Sequence, residues 1–207
     1  MSVKNEIRAK NLQILKNRAK SGAKCRDYAV LSDIKRLIKI YKPKNILLFM
    51  PLFYEPNVYR LRREFSKNCN IFVPFMVGIS LEMVKLALPF RVSKFNLKEP
   101  INKNAFKSNI DMAVVPVVGV DVSMARIGHG KGFYDRFFAS LKRPPKVVVF
   151  VQIMDLFTKQ KLAQSHDIIC DFYLTPKKKY FKRGKDDRNF SRIRCWRGRR
   201  WRGVCGR

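Results

Sequence analysis

Residues 126–136 read Arg126-Ile127-Gly128-His129-Gly130-Lys131-Gly132-Phe133-Tyr134-Asp135-Arg136, three alternating glycines set beside Arg126 and Lys131. Glycine lets backbone N–H groups close on an oxyanion, and a helix starting nearby adds partial positive charge. Such a segment suits phosphate binding, although a flexible turn uses the same residues. Lys131 is followed by Gly132 rather than Ser or Thr, and the glycines do not follow the GxGxxG spacing, so neither common nucleotide loop is present. Asp135, just past the glycines, could hold a magnesium ion bridging nucleotide phosphates; an Asp in a helix's first turn also serves simply to balance the dipole.

The elements that must position this loop alternate. Val3, Ile7, Ile14 and Leu15 predict a helix over 2–20, and Val30, Ile34, Leu37, Ile38 and Tyr41 a second one stopped by Pro43. Apolar runs at 46–50, 71–73, 112–118 and 146–152 predict buried strands, 168–174 the last one, and 134–141 a helix after the glycines. Residues 80–105 are mixed, with 84–90 strand-like. This alternation predicts an α/β fold, a three-layer α/β/α sandwich with a mainly parallel open sheet, Rossmann-like, in which ligands sit at the carboxyl ends of the strands.

Composition narrows the classes. The 207 residues are 46% hydrophobic and 12% aromatic, enough to fold, so a globally disordered chain is excluded. Five cysteines, Cys25, Cys69, Cys170, Cys195 and Cys205, never stand as CxxC, which argues against a zinc site and fits a reducing compartment. No apolar run is long enough to span a membrane, and the start MSVKNEIRAK has no secretory apolar stretch. A cytoplasmic protein is expected. The net charge of +30 favours polyanionic partners without saying which.

The combination of DMAVVPVVGVD, RIGHGKGFYDR and HDIICDFYLTP resembles the 5-formyltetrahydrofolate cyclo-ligase family, also called 5,10-methenyltetrahydrofolate synthetases, over most of residues 1–176. The resemblance implies an enzyme that uses ATP and Mg2+ to convert 5-formyltetrahydrofolate to 5,10-methenyltetrahydrofolate with release of ADP and phosphate, through a phosphorylated formyl oxygen, an iminophosphate. It implies that Arg126 to Tyr134 (Ile127, Gly128, His129, Gly130, Lys131, Gly132 and Phe133 between them) form the ATP loop. Arg126 and Lys131 would act on the transferring phosphate. Asp135 and Asp167 would be magnesium-associated carboxylates. Lys4 and Arg8 match N-terminal phosphate contacts, and their i, i+4 spacing puts them on one helix face. Met50 and Glu55 match the folate-side loop, where a carboxylate can accept paired N–H bonds from the pterin edge. Phe53, Tyr54 or Phe75 could stack on the substrate's rings. The positive charge suits a folate with a polyglutamate tail, and a monomer is expected.

Two departures stand out. The family's aromatic-Asp-x-x-Gly approach to the loop is here Val120-Asp121-Val122-Ser123-Met124, without aromatic or glycine, and its Glu-Val-Asp-Thr stretch is Glu55-Pro56-Asn57-Val58. Residues 177–207 hold 14 basic against 2 acidic residues, have no counterpart in the family, and predict a disordered basic tail after a domain over 1–176. Its removal is expected to spare the chemistry. Trp196, Trp201 and the arginines around them make a nucleic-acid-binding protein the alternative function.

Overall fold

The computed structural model describes residues 2–19, 23–78, 80–87, 89–92, 98–101, 109–182 and 201–204. Helices α1 (Val3–Ala19) and α2 (Ala23–Tyr41) lead to strand β1 (Asn45–Leu47). A 3-10 turn (Val58–Leu61) and the short α3 (Arg62–Phe65) precede β2 (Asn70–Val77) and β3 (Ser80–Lys85). Strands β4 (Phe90–Val92) and β5 (Lys98–Pro100) pair with each other. Then come β6 (Met112–Pro116), β7 (Gly119–Val120), β8 (Arg126–Ile127), α4 (Phe133–Ser140) and β9 (Val147–Val151). Strands β10 (Phe172–Leu174), β11 (Lys179–Lys182) and β12 (Trp201–Val204) follow.

The main sheet has the order β12-β11-β10-β9-β6-β1-β2-β3. Its centre, β2-β1-β6-β9-β10, is parallel throughout, flanked by the antiparallel β3 and β11. Val147 to Val151 and Met112 to Pro116 are buried at every position, because both faces of the sheet are covered. Met112, Val114, Val147 and Val149 pack under Val30, Ile34 and Leu37 of α2, Leu61 of the 3-10 turn and Phe65 of α3. The alternate residues Ala113, Val115, Val148 and Phe150 pack with Phe137 of α4. The three-layer α/β/α reading therefore holds. Helix α2 stops because Lys42 turns to φ +44 with its N–H on Ile38 O, and Pro43 cannot continue the ladder.

Order reverses between β1 and β6, so the loops leaving their carboxyl ends diverge and open a crevice. Helix α1 lies across this end, with Leu15 packed on Tyr54 and Ile153.

Three expectations change. The strand-like stretch at 84–90 ends at Lys85, since β3 is a hairpin partner of β2 from Ser80. The stretch 168–174 joins the sheet only from Phe172; before it, Ile169 bridges Ala125 and Cys170 N–H donates to Met124 O at 3.0 Å, which holds the approach to β8. Nor does the sheet end there. Lys179–Lys182 pairs antiparallel with β10 and Trp201–Val204 pairs with β11, so the segment expected to be a tail supplies two strands. Tyr180 is buried and stacks on Phe157 at 4.6 Å, which is why so basic a stretch can join the core. Residues 183–200, with Trp196, lie outside the described residues.

Candidate active site

The turn before Arg126 is built on Asp121, which is 1% exposed. Its carboxylate accepts the N–H groups of Ser123 (2.8 Å), Ala125 (2.9 Å) and Leu162 (2.8 Å). Met124 adopts φ +62 there, a left-handed turn carried by a methionine at the position where the resembled motif has glycine. The turn delivers Arg126 inward: Nε donates to Pro116 O at 3.2 Å, the guanidinium lies 4.7 Å from the Tyr134 ring centre, and Nη1 is 3.8 Å from Asp135 Oδ2.

Gly128 has a steric reason to be glycine. A Cβ there would lie 2.7 Å from Arg126 Cζ. Gly130 (φ +94) and Gly132 (φ +65) carry the backbone through left-handed conformations into α4, whose first turn has no side-chain cap. Its first N–H groups are therefore available to an anion. From α1, Arg8 Nε donates to Gly128 O at 2.8 Å, and Lys4 Nζ reaches Asp167 Oδ2 at 2.5 Å.

Lys4, Arg8, Arg126, the three loop glycines, Asp135 and Asp167 thus line one cleft of about 410 Å³. The other loop residues face elsewhere. Ile127 is buried in the core, Lys131 is exposed at the lip with its carbonyl accepting Arg136 Nη2 (2.8 Å), Phe133 and Tyr134 pack on the core, and His129 turns to Tyr54. Asn5 and Gln164 also line the cleft and carried no signal at the level of sequence, and His166 lines it too, standing in the HDIICDFYLTP segment with no role assigned to it there. Only Asn5, one residue after Lys4 and three before Arg8, could have been found by helical spacing.

Magnesium fits the carboxylates of this cleft. Asp135 Oδ1 is buried without a hydrogen-bond partner among the described residues, and Asp167 takes both Lys4 and the Gln164 N–H (2.8 Å) on Oδ2 alone. No cluster of three or more His, Cys, Asp or Glu side chains occurs among the described residues. Magnesium asks for little more than one or two carboxylates, because substrate phosphates and waters complete its octahedron.

Glu55 lines a second, smaller cleft of about 230 Å³ with Leu52, Phe53, Arg26 and Asn57. Burial pushes its carboxyl up to about 7, opposed by the Leu52 N–H (3.0 Å) and the charge of Arg126. Phe53 is 70% exposed at this cleft, while Met50 and Phe75 pack with Val73 and Val84 beside β2.

The fold and the site define an α/β protein with a cationic, glycine-lined cleft at the switch point of a mainly parallel sheet. The sequence profile of the 5-formyltetrahydrofolate cyclo-ligase family matches residues 1–166, and the chain belongs to that family. It is 37% identical over 68 residues to a 5-formyltetrahydrofolate cyclo-ligase of Mycolicibacterium smegmatis, covering 33% of this chain and 34% of that protein. It is 25% identical over 125 residues to a probable 5-formyltetrahydrofolate cyclo-ligase of Schizosaccharomyces pombe, covering 56% of this chain and 58% of the relative. The matches thus span less than two thirds of these relatives' own length. The solved structure of Aquifex aeolicus 5,10-methenyltetrahydrofolate synthetase superposes with a TM-score of 0.72 at 26% identity, covering 89% of this chain and 95% of that one. No helix among the described residues is long and apolar enough to cross a membrane.

Proposed function

We propose that this protein is an ATP- and magnesium-dependent 5-formyltetrahydrofolate cyclo-ligase. The observation that carries the reading is the single cleft in which Lys4, Arg8 and Arg126 face the glycine loop, with Asp135 and Asp167 at its wall. Three cations and the uncapped start of α4 suit a triphosphate, while Glu55 at the neighbouring cleft suits the amino-pyrimidine edge of the pterin, with Phe53 beside it for ring stacking.

In this reading the formyl oxygen attacks the γ-phosphorus of ATP and ADP leaves. The folate's N10 then attacks the activated carbon and loses its proton, and phosphate departs to leave 5,10-methenyltetrahydrofolate. A formamide oxygen leaves only after phosphorylation, so the residues contribute by placing the partners and neutralising charge. Arg126, buried and held by Pro116 O, presents a fixed charge where phosphate charge gathers. Lys4 and Arg8 close the cleft from α1, and Lys131 at the lip is within the same loop. A magnesium ion, held by Asp135 with Asp167, would neutralise phosphate oxygens when bound. The chain's net charge of +30 supports attraction of a polyglutamate tail.

The test is MgATP-dependent formation of the methenyl product by the purified chain, followed by its ultraviolet absorbance, with Asp135→Ala as control. Conversion that falls about 100-fold in the control is expected. Failure of the folded wild-type chain to convert 5-formyltetrahydrofolate would overturn the reading.

A further inference from the structure

Tyr54 and His129 belong to different loops. Tyr54 lies in the turn leaving β1, directly before Glu55, and His129 lies between Gly128 and Gly130. The Tyr54 hydroxyl and His129 Nε2 stand 2.8 Å apart, with the rings 6.0 Å between centroids and tilted by 44°. The two ends of this bond differ in stiffness. Tyr54 is 6% exposed and packed with Leu15 and Ile153, and its turn is closed by Glu55 N–H on Leu52 O (3.0 Å) and Leu52 N–H on the Glu55 carboxylate (3.0 Å). His129 is flanked by two glycines, so its side chain is a handle on the loop from the folate side, while Arg8 holds the Gly128 carbonyl from α1.

Both partners keep one protonation state near neutrality. Burial, with Arg126, Arg8 and Lys16 around it, pulls the imidazole down to about 4, and burial, with Glu55 beside it, pushes the phenol up to about 12. The bond is therefore one between neutral groups, available whichever ring nitrogen carries the proton.

We infer that the Tyr54–His129 hydrogen bond links the nucleotide loop to the folate-side turn, so that each substrate, by ordering its own loop, tightens the binding of the other. This rests on the reading above that the glycine loop takes ATP and the Glu55 turn takes the pterin. Ordering a glycine-flanked loop costs conformational entropy, and a loop already tied to an occupied neighbour has less left to lose. Tyr54 and His129 are positioning residues here. Linkage requires the effect to be reciprocal.

The experiment measures by calorimetry, on the full chain, the dissociation constants of a non-hydrolysable ATP analogue with magnesium and of 5-formyltetrahydrofolate, each alone and with the other saturating. Wild type is expected to show mutual tightening of about fivefold or more, equal in both directions. Tyr54→Phe keeps the ring and removes the hydroxyl. It should bring the factor, taken as the ratio of each variant's own constants with and without the other ligand, below about twofold; His129→Ala should do the same, and the double variant should lose nothing further. Independent binding of the two ligands to wild type, or full coupling in Tyr54→Phe, would overturn the link. Failure of wild type to bind either ligand would overturn the functional reading beneath it, and the link with it. Should His129→Ala not fold, Tyr54→Phe decides alone.

Discussion

Lys179, on strand β11 between β12 and β10, forms an ion pair with Asp33 in the middle of α2, and the two side chains are 2% and 0% exposed. Arg36 Nη1 adds a contact to the same carboxylate at 3.7 Å. A buried pair contributes little net stability, but removing one partner strands the other's charge. Lys179→Met is expected to lower stability by about 3–5 kcal/mol, and the double change Asp33→Leu with Lys179→Met to regain most of it, as read from urea midpoints. Truncation after Pro176 should therefore cost the fold as well as the tail, contrary to what the sequence suggests.

Gly128→Ala places a methyl group against the Arg126 guanidinium. The arginine cannot yield easily, because Pro116 O and the Tyr134 ring hold it. Turnover should fall by about 100-fold with the melting temperature changed by only a few degrees; a variant with wild-type kcat/KM for ATP would refute this placement of the arginine.

Glu55 couples stability to function. Its carboxyl, pushed up to about 7 by burial, keeps a proton that the unfolded chain has already lost, so this contribution is complete below about pH 4.5 and disappears as pH rises through about 7. Glu55→Gln should then be more stable than wild type above pH 7, by about 3 kcal/mol, and indistinguishable below pH 4. Under the proposed function the charged form is the one that accepts the pterin N–H groups. kcat/KM for the folate should rise with pH through about 7 in wild type and stay low and flat in the variant, a comparison of pH profiles that checks both halves.

Met124 is fully buried at φ +62, a conformation that costs an L-residue about 1–2 kcal/mol. Met124→Ala loses packing and keeps the strain, whereas Met124→Gly loses packing and relieves it. After glycine's greater freedom in the unfolded chain is subtracted, the glycine variant should be the more stable of the two by about 0.5–1 kcal/mol, the reverse of their usual order in denaturant titrations.

The parts of the fold legible in the sequence are those whose residues carry their own periodicity. The α2 stripe of Val30, Ile34, Leu37 and Ile38 and the valine runs of β6 and β9 identify themselves, since burial on one helix face or both sheet faces selects residue type directly. Strand β11 does not, because Lys179 reads as one more member of a basic run until Asp33, 146 residues away, shares its environment. At the site, the glycine loop is legible because close approach and positive φ demand glycine. The supporting contacts are not: Asn11 Nδ2 on Val118 O (3.2 Å), the Asp121 hub and the Tyr54–His129 bond depend on chain segments brought together only by the fold.

The cleft is closed by an ion pair whose members are 163 residues apart, Lys4 on the first helix and Asp167 just before β10. A ribosome building this chain releases α1 long before any of the walls it will cover. Until about four fifths of the polypeptide exists, that helix has polar residues on nearly every side and only Leu15 and Asn11 destined for burial, so it has little to fold against. Under the proposed function, the cleft that takes the nucleotide is therefore complete only once Asp167 has been made, with three strands of the sheet still to follow.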